Sequence, residues 1–369
     1  MPRIIHEAQD TSVERATAAG DALWLDREEL ARATGWTWKP EGLCRDEVCM
    51  PVPRRSERPL VDGERLDVAG LWRHAGWPVV HDRAGARWVL GASAARRAEA
   101  LTSLEAPDFA LPDLDGRVHR LSDLRGQKVL LVTWASWCGC RADLAVWNTL
   151  YQANRAHGFT VLAIALDEPE AARRWIEAAA PGYPCLIDRD HRVAELYHLV
   201  NVPQAVWIDE RGRMVRPPET AGMTDGFRAM DRKTFVSPPA ATEERQRTRS
   251  AYLDAVRDWA ERGAASPYAL DADAITARLA VPDVAVALAH AHFRLGQALL
   301  RDGLTEEAAA TLAEASRLHP ESWAMWRQAA EKDARGLAVG EAFWQRVDAL
   351  GDRPYYPPAD LGPSASPSR

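Results

Sequence analysis

A chain of 369 residues with 47% hydrophobic and 27% charged residues is long enough for two or three globular domains with sizeable cores. Its net charge of −7, with no face dense in Lys and Arg, sets nucleic acid aside as the main partner. The start, MPRIIHEAQD, lacks the apolar segment of a signal peptide, and the longest apolar run, VLLVTWA, is too short to span a bilayer. A cytoplasmic protein with no membrane partner is the resulting expectation.

Residues 1–104 are rich in Arg and Trp and read as an N-terminal α+β extension of unassigned function. Within them DREELARATG predicts a short helix closed by Gly35, and GARWVLG predicts a strand. Cys44 and Cys49 sit in CRDEVC. They are either an auxiliary dithiol relaying electrons or a loop with packed or loosely paired thiols, and the second is preferred because spacing alone does not fix connectivity. Five cysteines in a chain this long do not make a disulfide framework, so reduced or catalytic thiols are expected. The run from Arg54 to Arg58 reads as a solvated loop.

APDFALPDLDG marks a boundary, and an α/β domain is expected over 105–237. KVLLVTWA and FTVLAIALD are near-continuous apolar runs, the pattern of strands buried on both faces. Between them Leu144, Trp147, Leu150 and Tyr151 recur at helical spacing until Gly158. Pro169 opens a further helix, PEAARRWIEAAA, and AVWIDERGRMV predicts two strands joined at Arg211-Gly212. Cys185 is expected in a buried strand, and Trp134, Trp147, Trp175 and Trp207 in the core or at its rim.

An all-helical region is expected over 241–350, followed by a tail over 351–369 whose end is expected to be disordered. In it AHAHFRLGQALLRDGLTEEAAATLAEASRLHP resembles one tetratricopeptide repeat, with Leu295-Gly296, Ala308, Leu312, Ala315 and Pro320 at the expected offsets. ESWAMWRQAAEKD looks like the first helix of a degenerate second one. Stable arrays need about three repeats, so a short helical appendage is expected rather than a full peptide-binding superhelix, with a protein partner at the repeats as the further reading.

The chemistry points to SWCGCR, where Trp137 precedes Cys138, Gly139, Cys140 and Arg141. A strand ending near Trp134 delivers Cys138 to a helix start, where unpaired N–H groups and the helix dipole favour thiolate. A disulfide between residues two apart requires a turn at Gly139, because two extended residues span about 6.6 Å at the ~3.3 Å rise, near the upper limit for bridged Cα atoms. Two structural thiols, or a metal clip, are the blander readings. The metal reading lacks further ligands, since His157, His191 and His198 show no paired spacing with the cysteines. No metal or cofactor is expected.

From Ala106 to Arg216 the chain resembles the thioredoxin-like superfamily, specifically its TlpA-type branch overlapping alkyl hydroperoxide reductase/peroxiredoxin profiles. The likeness rests on APDFALPDLDGRVHRLSDLRGQKVLLVTWASWCGCR, on NVPQAVWIDERGRMV and on the distance between them. The family pattern Trp-Cys-x-x-Cys-Arg-x-Glu is met by Trp137, Cys138, Cys140, Arg141 and Asp143, with one residue deleted between the cysteines. The resemblance implies a central mixed sheet flanked by helices and thiol–disulfide exchange with a protein or low-molecular-weight thiol or disulfide. It implies Cys138 as attacking thiol, Cys140 as resolving thiol, Trp137 as a cover and Asp143 as proton relay. It makes Pro203 a cis-proline presenting the Val202 backbone to substrate. The buried Asp of thioredoxins proper is replaced by Val132. A peroxidase reading lacks its threonine three residues before either cysteine, where Ala135 and Trp137 stand. A redox-inactive interaction protein is the third reading.

Overall fold

The structure is a computed structural model that describes residues 1–53 and 58–362. The loop reading of Arg54 to Arg58 falls mostly outside the described residues, and the disordered-tail reading beyond Gly362 falls wholly outside them. Two compact units form, each from separated stretches: Met1–Glu99 with Val281–Trp326, and Ala100–Ala280 with Arg327–Arg369. The helical stretch expected over 241–350 is shared between them.

The second unit is built on a five-stranded mixed sheet in the order Cys185–Ile187, Phe159–Ala165, Lys128–Trp134, Gln204–Ile208, Glu219–Thr220. The first three strands run parallel and the last two antiparallel to their neighbours. Every residue of Lys128–Trp134 and Phe159–Ala165 is buried. Successive side chains of a strand point to opposite faces, so both faces of the sheet are covered. This is the α/β arrangement the resemblance implies.

One cover is the helix Leu144–Asn154, whose chain passes through a short 3₁₀ turn to Gly158 at φ 66°. Another is the long helix Pro239–Arg262, which buries Tyr252, Ala255, Val256, Trp259 and Ala260. That spacing is one apolar helical stripe. Tyr252 and Trp259 meet the Trp207 ring at 6.0 and 5.0 Å, and the Trp207 indole N–H donates to the Tyr252 hydroxyl at 2.9 Å. Burying three large aromatics together contributes several kcal/mol, at ~1.5–3 kcal/mol for each large side chain.

The expected hairpin over 205–215 forms only in part. Gln204–Ile208 is a strand, but Arg213 and Met214 make isolated bridges to Glu105 and Ile208. The chain then turns inward because Arg216 forms a buried bidentate ion pair with Glu219 at 2.8 and 2.9 Å, which seats Glu219–Thr220 as the edge strand.

In the first unit Arg3–His6 pairs in parallel with Arg87–Leu90 within a four-stranded sheet. The helix Arg27–Thr34 starts on the Asp26 side chain and ends on Gly35 at φ 71°. Cys44 and Cys49 face each other across the hairpin Gly42–Arg45/Val48–Met50 and close a disulfide. This differs from the loop with packed or loosely paired thiols preferred there: antiparallel register, absent from spacing arguments, places the pair opposite.

The helices Val284–Arg301 and Thr305–Leu318 form a hairpin around Gly303 at φ 77°. Ala291, Leu295, Ala298, Leu299 and Ala308 pack on Ile5, Val80 and Val89 of the sheet. Close approach depends on Gly296, where an added Cβ would stand 2.6 Å from Leu312 Cγ. Gly296→Val is therefore expected to destabilise this unit by about 1–3 kcal/mol, read as earlier urea unfolding and faster amide exchange in the hairpin. A wild-type transition in that variant would mean the helices have room to separate.

Candidate active site

The strand Lys128–Trp134 runs out into Ala135 and Ser136, and Cys138 caps a 3₁₀ turn, Gly139–Asp143, that leads into the helix Leu144–Asn154. The Cys140 N–H donates to Cys138 Sγ at 3.4 Å, and both sulfurs are free thiols, each residue 2% exposed. Gly139 keeps a φ outside the left-handed region, and a Cβ there would meet no atom within 4 Å. The turn of the reduced pair thus does not depend on glycine, unlike the turn expected for a closed pair.

Across from the pair lies Val202-Pro203, whose peptide bond is cis. Cys138 Sγ stands 3.6 Å from the Val202 carbonyl oxygen. Asn201 holds this segment: its side-chain oxygen accepts from the Val202 N–H at 2.9 Å, and its side-chain nitrogen donates to the Tyr355 carbonyl at 3.1 Å. The Tyr356 hydroxyl donates to the same Val202 carbonyl at 3.2 Å.

Trp137 is buried beside the pair. Its indole N–H donates to the Gln328 side chain, and its carbonyl accepts from the Ala338 N–H at 3.0 Å and from Arg327 Nη2 at 3.1 Å. The Arg327 guanidinium lies 4.8 Å from the Trp137 ring and also donates to the Tyr355 hydroxyl at 3.1 Å. Beside Trp137 a cleft of about 390 Å³ opens, lined by Ser136, Asp167, Arg174, Gln328 and Lys332.

The two thiols are driven apart electrostatically. Burial alone pushes the Cys138 thiol up, but the hydrogen bond from Cys140 and the Arg327 charge outweigh it and bring it down to about 6. Burial and the neighbouring Cys138 push Cys140 well above the ordinary thiol range. Asp143, buried and paired with Arg249 of the long helix, is raised to about 6 by burial against the pull of that arginine. Asp167 accepts from the Ser136 N–H and from its hydroxyl at 3.1 Å, and burial raises it to about 7.

The five residues singled out from sequence, Trp137, Cys138, Cys140, Asp143 and Pro203, thus fall in one neighbourhood. Val132 occupies a fully buried strand position. Cys185 lies apart in its buried strand, its thiol pushed up to about 12 by burial. Among the described residues no cluster of His, Cys, Asp or Glu is arranged to hold a metal ion. Sequence reasoning missed Arg249, Asp167, Arg327, Tyr355 and Tyr356. Only Arg327, a lone cation within the apolar WAMWRQA, carried a signal.

The AhpC/TSA family model matches residues 103–216. Residues 103–216 are a thioredoxin-like redoxin domain. Over 111 residues the chain is 36% identical to the thiol-disulfide oxidoreductase ResA of Geobacillus thermodenitrificans, covering 30% of this chain and 64% of that protein. It is 31% identical over 113 residues to ResA of Bacillus cereus, covering 30% and 65%. The crystal structure of the thioredoxin domain of a thiol-disulfide oxidoreductase from Bacteroides vulgatus aligns at 28% identity and a TM-score of 0.29, covering 31% of this chain and 84% of that one. The chain therefore spans just under two thirds of the curated relatives' length.

The relatives correct the expected compartment. Thiol-disulfide oxidoreductases of the ResA type are typically extracytoplasmic, so the cytoplasmic expectation does not stand. The closed Cys44–Cys49 disulfide accords with that correction, because disulfides persist in oxidising surroundings. Among the described residues no helix is long and apolar enough to cross a membrane.

Proposed function

We propose that the redoxin domain is a thiol–disulfide oxidoreductase working through Cys138 and Cys140. The observation that carries this reading is the unequal pair: a thiol lowered toward neutrality, next to one held high, beside Val202-Pro203. The Cys138 thiolate attacks one sulfur of a substrate disulfide, forming a mixed disulfide and releasing the other sulfur as a thiolate that takes up a proton. Cys140 then gives its proton to Asp143 and attacks Cys138 Sγ, releasing the second substrate thiol and leaving Cys138–Cys140 oxidised. An external dithiol returns the two electrons. The partner is a protein or small-molecule disulfide.

The match to the AhpC/TSA family favours hydroperoxide reduction as a second reading. Against it, Thr133, the threonine nearest to the pair in sequence, donates to the Gln204 carbonyl at 3.1 Å and accepts from the Gln204 N–H at 3.2 Å, so its hydroxyl is engaged with backbone. The tetratricopeptide likeness is supported by one helical hairpin, whose apolar face is already used by its own unit. No partner is assigned to it.

The test is stopped-flow mixing of reduced protein with glutathione disulfide, with a peptide disulfide, and with hydrogen peroxide in parallel. Rapid loss of two thiols with either disulfide supports the reading. Reaction with peroxide alone favours the second, and no reaction with any of the three removes both.

A further inference from the structure

Arg327 poses a question of charge balance. It is 3% exposed, and its hydrogen bonds go to the carbonyls of Trp137 and Ala338 and to the Tyr355 hydroxyl. Its guanidinium also lies over the Trp137 and Phe343 rings, at 4.8 and 5.0 Å. No carboxylate pairs with it among the described residues; the acidic groups that act on it are the thiols of Cys138 and Cys140 and the phenols of Tyr355 and Tyr356. A guanidinium cannot shed its charge, and a buried charge is costly unless an opposite charge or a full set of hydrogen bonds compensates it. Burial holds both tyrosines protonated, with Tyr355 at about 12 and Tyr356 well above its ordinary value.

We propose that Arg327 is the electrostatic partner of the Cys138 thiolate and the positioning residue of the Trp137–Cys138 peptide. A residue more than a hundred positions beyond the redoxin domain thereby sets the reactivity of the pair. The inference rests on the thiol–disulfide reading. Geometry and charge agree: Arg327 grips the carbonyl of the residue preceding Cys138, and its charge is among the influences that bring that thiol down. The other ionisable groups around Cys138 are Cys140, Arg141 and Asp143 on its own turn, Asp167 after the neighbouring strand, and Tyr355 and Tyr356. Of these only Arg141 is cationic. It donates to the Ser136 and Arg335 carbonyls and lies 3.8 Å from the Trp175 ring.

The test is iodoacetamide alkylation of the full-length reduced protein from pH 4 to 10, with Cys138 labelling followed by peptide mass. The wild-type midpoint is expected near 6. In Arg327→Gln it should rise by about one to three pH units, with labelling at pH 7 reduced by about twofold for a one-unit rise and about ninetyfold for three, and Arg327→Lys should recover most of the reactivity. An unchanged midpoint in folded Arg327→Gln overturns the proposal. Should that variant not fold, wild type and Cys138→Ser are compared by urea unfolding under reducing conditions. A thiol lowered by folding adds stability that is fully present above its unfolded value near 9 and is lost as pH falls through about 6. The stability difference between the two proteins should therefore widen from pH 6 to 9, and a flat difference overturns the proposal. A low midpoint without turnover of any disulfide would instead sink the proposed activity and leave Arg327 in its role.

Discussion

Cys140→Ser is expected to accumulate a near-stoichiometric mixed disulfide with substrate, while Cys138→Ser accumulates none. The order follows from the split between the thiols. Cys138 caps the turn, accepts a hydrogen bond from the Cys140 N–H and feels the Arg327 charge, all of which favour thiolate. Cys140 lies within the turn, where burial and the adjacent Cys138 hold its proton on. At neutral pH the first therefore attacks and the second waits. Removing the second leaves attack intact and resolution impossible. Intact-mass measurement after mixing with a peptide disulfide reads the adduct. Adducts confined to Cys138→Ser would hand the attacking role to Cys140 and shift weight toward peroxide chemistry. Equal behaviour of both variants would return the pair to structural status.

Access tempers the rate of that attack. Cys138 is 2% exposed, and the Val202 carbonyl already accepts from Tyr356. An extended substrate hydrogen-bonding to the Val202 carbonyl must share that oxygen with the Tyr356 hydroxyl. Trapping is thus expected to be slower with a peptide disulfide than with a small one entering beside Trp137.

The parts of this architecture legible in the sequence are those fixed by local chemistry. Lys128–Trp134 and Phe159–Ala165 read as strands because a strand buried on both faces needs an unbroken apolar run. Gly158 and Pro169 mark boundaries because their backbone limits are intrinsic. The cysteine pair and Pro203 were found through motif and family likeness.

What stayed hidden depends on the return of distant chain. The helix Trp323–Ala329 reads as the start of another repeat, yet the chain leaves it at once. Asp333 accepts from the Arg335 and Leu337 N–H groups at 2.9 Å, folding the chain so that the Ala338 N–H reaches the Trp137 carbonyl. Nothing in the local pattern of residues 323–340 records that destination. The Cys44–Cys49 bridge was missed for a related reason, since cross-strand register is a property of two segments rather than one.

Asp143→Asn is expected to slow release of the mixed disulfide by about a hundredfold or more, while leaving the rate of attack within a few-fold of wild type. Cys140 must lose a proton before it can attack Cys138 Sγ, and burial makes that loss unfavourable. Asp143 is the buried carboxylate whose charge Cys140 feels, and it titrates at about 6. Above that pH it is ionised and able to take the proton; below it the carboxyl is already protonated and resolution falls. Attack falls through the same range because Cys138 is protonated below about 6. Steady-state turnover merges the two limbs, but quenched-flow mass measurement separates them: attack reads as appearance of the adduct, resolution as its decay. Arg249 gives the sign a second check. Its charge pulls the Asp143 carboxyl down against burial, so Arg249→Gln should move the acid limb of resolution to higher pH and leave that of attack in place. Wild-type decay of the adduct in Asp143→Asn would remove Asp143 from the proton path and leave Cys140 to lose its proton to solvent.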